Sequence, residues 1–390
     1  MPFNRELAED LAFRTGDRDH TRYFCGRAAE LDSFTAACIE AGRKPQSAFR
    51  LYTGAPGCGK TSLLSHIRKT HADVKELLFV PARSKYLRSD ASLQEGVLEA
   101  ALRVQGVKAE VRGGLSTGLK TVAEMLQAKT FGEAVEEWRR ECAIDGLTVV
   151  LQVDEAQNLD AESLKVLAEL HAYGLEGVKS VVLAAGLTHA KDVLTGGGIS
   201  RTAHNADVDM GLLAREECVA STRMMLDDLG AVGTDSERAS AAGHVAQFAL
   251  GWPQHLFRAQ QALCRGLLDS GGVICDTNMR AVERHSSQAR TDYYNDRLRG
   301  RQELERSPDV NYRVIVDVAR ERPTRESQLH RICKLRIDED EKKHEPLVKT
   351  NPVAYATALV EKGVVCRTAD GYASPIPSMV MWAREKITGE

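Results

Sequence analysis

The most constraining feature of this chain is a glycine-rich segment at residues 54–61, which reads GAPGCGKT. Its spacing fits G-x-x-x-x-G-K-[ST], the pattern of the phosphate-binding P-loop. Gly54, Gly57 and Gly59 permit positive φ and let bare backbone come close to a phosphate. The backbone N–H groups of such a loop surround the anion at the positive end of the helix that follows. The motif therefore predicts a binding site for a nucleoside triphosphate.

The residues on both sides of this loop fit the same interpretation. Residues 49–53 (FRLYT) form a short β-prone run, and residues 61–70 carry apolar side chains at helical spacing. Strand, glycine loop and helix form the context that the motif requires, and it argues against a chance glycine turn. In this context Lys60 would reach the β- and γ-phosphates, and the Thr61 hydroxyl would hold Mg²⁺.

Composition restricts the class of protein only broadly. A chain of 390 residues is long enough for two to three domains, and 43% hydrophobic with 27% charged residues is ordinary for a soluble globular protein. The net charge of −3 gives no global argument for binding nucleic acid.

Cysteine usage and the N-terminus predict a cytoplasmic protein. The nine cysteines are scattered without a C-x-x-C pair, which is typical of reduced thiols and argues against a zinc site. The first ten residues are charged and lack an apolar signal core. No run approaches the roughly 20 apolar residues of a membrane span.

A second motif pairs two acids with an apolar strand. Residues 149–155 read VVLQVDE, which is the Walker B pattern. Asp154 would hold Mg²⁺, as the Walker B acid does in P-loop NTPases. Glu155 would polarise the attacking water as general base. The alternative, a buried strand followed by a helix-capping acid, loses weight because a P-loop precedes it.

Strands and helices alternate after residue 48, which predicts an α/β fold with a parallel sheet. The predicted strands are 49–53, 76–80, 147–153, 180–185 and 206–210. From residue 213 helical patterns take over, at 215–229, 235–250 and 253–269. We therefore predict four regions: an N-terminal helical segment (1–48), a nucleotide-binding core (49–212), a helical lid (213–300) and a C-terminal domain (301–390).

Motif content and order resemble an AAA+ ATPase. Residues 153–159 (VDEAQNL) are similar to bacterial transposition-regulator and secretion-associated ATPases of that superfamily. Ahead of the P-loop, Phe24, Gly26 and Arg27 with the Glu-Leu pair at 30–31 resemble the F-x-G-R-x-x-E-L box of initiator and STAND-type ATPases. That box lies against the adenine, so Phe24 and Arg27 become candidate contacts. Alternatively, residues 26–27 simply begin the helix predicted over 28–41.

The resemblance also implies residues that complete catalysis. Residues 198–201 (GISR) resemble the box that carries the arginine finger, so Arg201 would enter the ATP site of a neighbouring subunit. After the fourth strand the family places a polar sensor, but Gly186 aligns best, and Thr188 is the candidate that remains. In the lid, Gln254 replaces the family's sensor-2 arginine.

Two neighbours of Gln254, His255 and Arg258, are candidate substitutes for that arginine. The residues predicted to bind the nucleotide form the loop, the start of its helix and the adenine side: Gly54, Ala55, Pro56, Gly57, Cys58, Gly59, Lys60, Thr61, Ser62, Phe24 and Arg27. Lys60, Glu155 and Arg201 are the predicted catalytic residues, with ATP and Mg²⁺ (held by Thr61 and Asp154) as cofactors.

Residues 310–390 resemble a winged helix, with helices at 310–320, 325–334 (N-capped by Thr324) and 352–362, and a hairpin turning at 369–371. Basic residues only slightly outnumber acidic ones there, which is weak for affinity built on phosphate neutralisation. The main expectation is an ATPase that assembles with itself and acts on DNA or a DNA-bound partner. The alternative is a STAND-like nucleotide-gated switch that binds a protein.

Overall fold

The computed structural model describes residues 2–13, 22–43, 46–82, 86–104, 130–141, 146–199, 207–305, 308–323, 325–344, 350–368 and 370–389. Two residues with a predicted role, Arg201 and Thr324, lie outside the described residues. The prediction for each therefore stays untested.

A five-stranded parallel sheet forms the core, in the order β2-β3-β4-β1-β5. The strands are β1 (Ala48–Thr53), β2 (Leu77–Pro81), β3 (Thr148–Val153), β4 (Lys179–Gly186) and β5 (Asp207–Asp209). Each predicted strand is present, and the α/β prediction is confirmed. β1 is buried along its whole length because helices cover both faces of the sheet.

Helices pack on the two faces of this sheet in separate layers. On one face Phe34, Leu63 and Ile67 pack against β1 and β4, and on the other Val97 and Leu167 pack against β3 and β4. The helices of these layers and of the N-terminal segment are α1 (Arg5–Phe13), α2 (Ala28–Ala41), α3 (Lys60–Thr70), α4 (Asp90–Val104), α5 (Phe131–Glu141), α6 (Ala161–Tyr173) and α7 (Ala190–Gly196).

Four helices form the lid: α8 (Arg215–Asp228), α9 (Asp235–Ala249), α10 (Pro253–Asp269) and α11 (Asp276–Arg297). The first helix of the chain packs into this lid. Leu7 and Leu11 enter its apolar core, and the Gln261 side-chain amide donates to the Leu11 carbonyl at 3.3 Å. The N-terminal segment therefore contributes α2 to the layer on the sheet and α1 to the lid. The sequence did not predict this division.

The C-terminal unit has the helices and hairpin of a winged-helix-like arrangement. Its elements are α12 (Gln302–Glu305), α13 (Pro308–Glu321), α14 (Glu326–His344), α15 (Pro352–Glu361), the antiparallel pair β6 (Cys366–Thr368) and β7 (Gly371–Ala373), and α16 (Pro377–Thr388). The prediction ended the second helix at residue 334, which was wrong. The helix continues through the acidic run, where two of the acids pair with basic residues one turn earlier: Asp338 with Lys334 at 2.7 Å and Glu339 with Arg336 at 2.8 Å.

This unit docks directly on the glycine loop. Gly363 has φ 66° and packs so closely on Pro56 that a Cβ there would lie 2.7 Å from the proline Cγ. The Arg367 backbone N–H donates to the Thr188 hydroxyl at 3.3 Å, and its guanidinium lies 3.4 Å from the Asp192 carboxylate. We call this contact the seam; it joins the C-terminal hairpin to the carboxyl edge of the sheet.

Within the described ranges, every helix is too short or too polar to cross a lipid bilayer.

Gly363→Ala should destabilise the protein because the new Cβ meets Pro56 and the backbone has positive φ. Gly177→Ala is a matched control, since Gly177 has φ 68° and open space around it. We expect about 1–2 kcal/mol of lost unfolding free energy from φ alone in both variants, and a clearly larger loss for Gly363→Ala. Urea denaturation measures both, and equal losses would show that the seam is not tightly packed.

Candidate functional site

The glycine loop between β1 and α3 uses its three glycines in different ways. Gly57 and Gly59 adopt φ 82° and 96°, in the left-handed region that favours glycine. Gly54 does not use this freedom. Its glycine is required by packing, because a Cβ there would lie 2.5 Å from the Cys58 sulfur and 3.0 Å from the Met210 carbonyl oxygen.

The lysine and threonine of the motif occupy the first turn of α3. The buried Lys60 ammonium donates to the carbonyls of Gly54 (2.8 Å) and Ala55 (3.2 Å). The Thr61 hydroxyl donates to an Asp154 carboxylate oxygen at 2.8 Å. The two predicted Mg²⁺ ligands are therefore adjacent, although they come from separate motifs.

Desolvation raises the pKa of Asp154 above its ordinary value, against the opposing effect of the Thr61 hydroxyl. A hydroxyl and a carboxylate side by side are the hard oxygen ligands that Mg²⁺ prefers, and the ion's charge would favour the ionised carboxylate. The residues present therefore fit the metal that the motifs imply.

Glu155 follows β3 in a strained backbone conformation. Its φ of 53° is unusual for a residue with a side chain. Its N–H donates to an Asp154 carboxylate oxygen at 3.0 Å, and its own carboxylate accepts from the Gln157 side-chain amide. This geometry places the predicted general base beside the predicted metal ligand.

A cavity of about 310 Å³ lies between the glycine loop, residues 22–27 and the lid. Of the described residues that are predicted to bind the nucleotide, hold the metal or catalyse, all but Gly54, Ala55 and Asp154 line it. Those in its wall are Pro56, Gly57, Cys58, Gly59, Lys60, Thr61, Ser62, Glu155, Phe24 and Arg27. The volume is in the range of known ligand pockets, and these motif residues share one site.

The two candidate adenine contacts are held differently. The buried Arg27 guanidinium donates to the Cys58 and Gly211 carbonyls, both at 2.8 Å, and pairs with Glu30. Arg27 thus shapes the wall by tying the glycine loop to the segment after β5. Phe24 stacks on the His66 ring at a centroid distance of 4.0 Å. Contact of either residue with adenine stays a prediction.

The lid meets the glycine loop at the position of the missing sensor arginine. The Gln254 backbone N–H donates to the Gly57 carbonyl at 3.1 Å. Of the two candidate substitutes, Arg258 lines the cavity and His255 does not. His255 is instead buried between the rings of Tyr293 and Tyr294, with its Nδ1 3.3 Å from the Ser378 hydroxyl.

Sequence reasoning missed two residues on α11. The Tyr293 hydroxyl donates to the Pro56 carbonyl at 2.6 Å, and Arg297 lines the cavity with its guanidinium 5.0 Å from the Tyr293 ring centroid. The surrounding sequence is a polar helical stretch without a motif. Only the packing of α11 against the loop reveals them.

The end of β4 differs from the sensor arrangement that the resemblance implies. A Cβ on Gly186 would lie 2.6 Å from the Ala190 Cβ and 2.7 Å from the Gln157 side-chain oxygen. The other candidate, Thr188, is absent from the cavity wall and accepts the Arg367 N–H at the seam. Neither candidate sensor residue therefore lines the cavity.

Comparison with known proteins agrees with this geometry. Residues 23–183 match the model of the family described as AAA ATPase domain. This stretch of the chain is therefore similar to an AAA ATPase domain. No curated protein matches the chain in sequence.

Two solved structures resemble the AAA ATPase domain together with its lid and C-terminal unit. The Walker-type ATPase PABY2304 of Pyrococcus abyssi is 15% identical with a TM-score of 0.56, covering 96% of this chain and 99% of that one. The ORC2 protein of Aeropyrum pernix, solved in ADPNP-ADP complexes, is 11% identical with a TM-score of 0.50, covering 97% and 98%. At these identities the likeness shows the fold alone, including a C-terminal region like a winged helix.

His255 should make the stability of the protein depend on pH. Burial, with a smaller contribution from Arg290, lowers its pKa from 6.5 to about 3. Below pH 6.5 this histidine binds a proton in the unfolded chain but not in the folded chain. The free energy of unfolding therefore falls as the pH drops, by at most about 1.4 kcal/mol per pH unit from this group.

His255→Gln should therefore lose less unfolding free energy than the wild type between pH 7 and pH 5. The control is His344→Gln, since His344 lies on the surface and should keep the wild-type slope. Urea denaturation at several pH values measures all three. If His255→Gln follows the wild-type slope, the histidine is not buried in its neutral form.

Proposed function

We propose that this protein is a Mg²⁺-dependent ATPase that couples its nucleotide state to self-assembly and to action on DNA or a DNA-bound partner. One observation carries the proposal: Lys60, Thr61 and Glu155 line one cavity beside the glycine loop, and the Thr61 hydroxyl binds the Asp154 carboxylate. The fold likeness to ORC2, solved with ADPNP and ADP, supports an adenine nucleotide.

Each residue has a distinct part in the proposed hydrolysis. The loop N–H groups and Lys60 bind the β- and γ-phosphates and neutralise charge that develops there. Thr61 and Asp154 would hold Mg²⁺, which supplies further charge stabilisation when bound. Glu155 accepts a proton from the attacking water. Arg201 as a finger from a second copy completes the site in an oligomer, and Arg258 supplies a lid cation.

Action on DNA is supported by the fold of the C-terminal unit, but three basic residues of that unit form ion pairs with acidic residues. Lys334 binds Asp338, Arg336 binds Glu339 at 2.8 Å, and Arg331 lies 3.7 Å from Glu321. These pairs reduce the free positive charge available to phosphates.

The seam favours a second candidate, a nucleotide-gated switch that binds a protein. Gly363 and Arg367 of the C-terminal unit contact Pro56 of the glycine loop and Thr188 after β4. Both contacts lie beside the cavity, so occupancy of the cavity would alter the docking of the unit. In this reading hydrolysis is slow and the released C-terminal unit recruits the partner.

Lys60→Ala should weaken ATP binding at least about tenfold, because it removes the cation of the phosphate site. Glu155→Gln should still bind ATP but hydrolyse it roughly 100- to 10,000-fold more slowly, since it cannot accept a proton. Calorimetric titration and phosphate release measure the two effects. Arg68→Ala, on the exposed side of α3, is the control. Unchanged affinity in Lys60→Ala would refute the phosphate site.

DNA and particle mass separate the two candidate functions. If the protein acts on DNA, a duplex should raise the ATPase rate, and the increase should shrink with added salt because phosphate contacts release counterions. The switch predicts slow turnover that ignores DNA. Light scattering with ATP and with ADP reports assembly, and an equal mass in both states would exclude assembly controlled by the nucleotide.

A further inference from the structure

The turn after the Walker B strand contains a side chain that the motifs leave without a role. Gln157 lies in a short 3₁₀ turn (Ala156–Asn158), two residues beyond Glu155. Its amide nitrogen donates to the Glu155 carboxylate, and its amide oxygen accepts the Leu187 backbone N–H at 2.9 Å. One side chain thus joins the predicted general base to the end of β4.

The chemistry of the two partners fixes the direction of this amide. A backbone N–H can only donate and an ionised carboxylate can only accept, so the oxygen must face Leu187 and the nitrogen must face Glu155. The opposite orientation of the amide would place its NH₂ group against the Leu187 N–H and its oxygen against the Glu155 carboxylate.

The neighbouring glycine fits the same arrangement. A Cβ on Gly186 would lie 2.7 Å from the Gln157 oxygen, well inside the normal contact distance. The amide therefore occupies the space beside the end of β4 that a side chain at position 186 would need. Leu187, whose backbone N–H donates to the Gln157 oxygen, lines the cavity together with Glu155.

Glu155 needs such support because its backbone is strained. A residue other than glycine rarely adopts a φ of 53°, and this conformation persists only where its surroundings impose it. The bond from Gln157 restrains the side chain of this residue and uses one carboxylate oxygen. The second oxygen can then accept the proton of a water.

We propose that Gln157 is a positioning residue that orients the Glu155 carboxylate and provides, at the end of β4, the polar group that Gly186 lacks. The proposal rests on the proposed ATPase function and adds to it the residue that holds the base. Gln157 acts through Glu155 and through Leu187, so removing its hydrogen bonds should impair turnover more than nucleotide binding.

The first test replaces Gln157 by methionine, which keeps the volume and removes both hydrogen bonds. We expect ATP affinity within about twofold of the wild type and kcat lowered roughly 10- to 100-fold, as for a misplaced catalytic group. Asn158→Ala, on the exposed side of the same turn, should keep wild-type turnover. Wild-type kcat in Gln157→Met would overturn the proposal.

The second test uses Gln157→Glu, which keeps an acceptor for the Leu187 N–H but sets a carboxylate against Glu155. Two adjacent carboxylates repel each other, so the Glu155 side chain should leave its position and kcat should fall at least as far as in Gln157→Met, with ATP affinity within about twofold of the wild type. A purely structural role, in which only the bond to β4 matters, would leave kcat at the wild-type value. This variant also guards against misfolding of Gln157→Met, because it keeps the bond to β4.

A double-variant cycle separates this proposal from the ATPase function itself. If Gln157 acts through Glu155, adding Gln157→Met to Glu155→Gln should cause little further loss of turnover. Additive losses would show that Gln157 acts elsewhere. If Glu155→Gln turns over as fast as the wild type, the proposed ATPase mechanism fails, irrespective of Gln157.

Discussion

The glycine loop is held open by hydrogen bonds to its carbonyl groups, and the rest of the molecule is arranged around these bonds. Every carbonyl from position 54 to 58 accepts a hydrogen bond. Lys60, at the start of α3, donates to Gly54 and Ala55, and more distant residues donate to the others: Tyr293 to Pro56, Gln254 to Gly57 and Arg27 to Cys58. Satisfied carbonyls fix the peptide planes and leave the N–H groups for an anion, which is how a phosphate nest forms. The N-terminal segment and the lid each supply donors, so both depend on this loop.

This dependence explains which features of the fold and of the site could be predicted from the sequence. The P-loop, the acidic pair at 154–155 and the buried strands rest on local patterns, and all of them lie where those patterns predicted. Tyr293 and Arg297 could not be found this way, because their importance comes from how α11 packs on Pro56. Packing likewise explains the glycine at position 54, because a Cβ there would collide with the Cys58 sulfur. The resemblance suggested an adenine contact for Arg27, while three hydrogen bonds show what its guanidinium does in the fold.

The seam gives the C-terminal unit two points of contact with the edge of the sheet where the motifs meet. Pro56 belongs to the phosphate loop, and Thr188 follows β4 one residue beyond the cavity wall. Because Gly363 has no room for a side chain, a shift of Pro56 by a fraction of an ångström must move the C-terminal unit or open the contact. Packed interfaces respond to such shifts by changing between discrete arrangements. The docked C-terminal unit thus shares a closely packed contact with the loop.

The end of β4 shows why a motif can mislead when one position is read alone. Gly186 has no polar group, so an aligned sequence suggests that the sensor is lost. In three dimensions the amide of Gln157, from the neighbouring strand's turn, fills that space and binds Leu187. The two positions depend on each other, since a larger residue at 186 would displace the amide and a smaller one at 157 would leave Leu187 N–H without its partner. A glycine and a glutamine 29 positions apart in the chain are therefore one structural feature, which only the parallel pairing of β3 with β4 brings together.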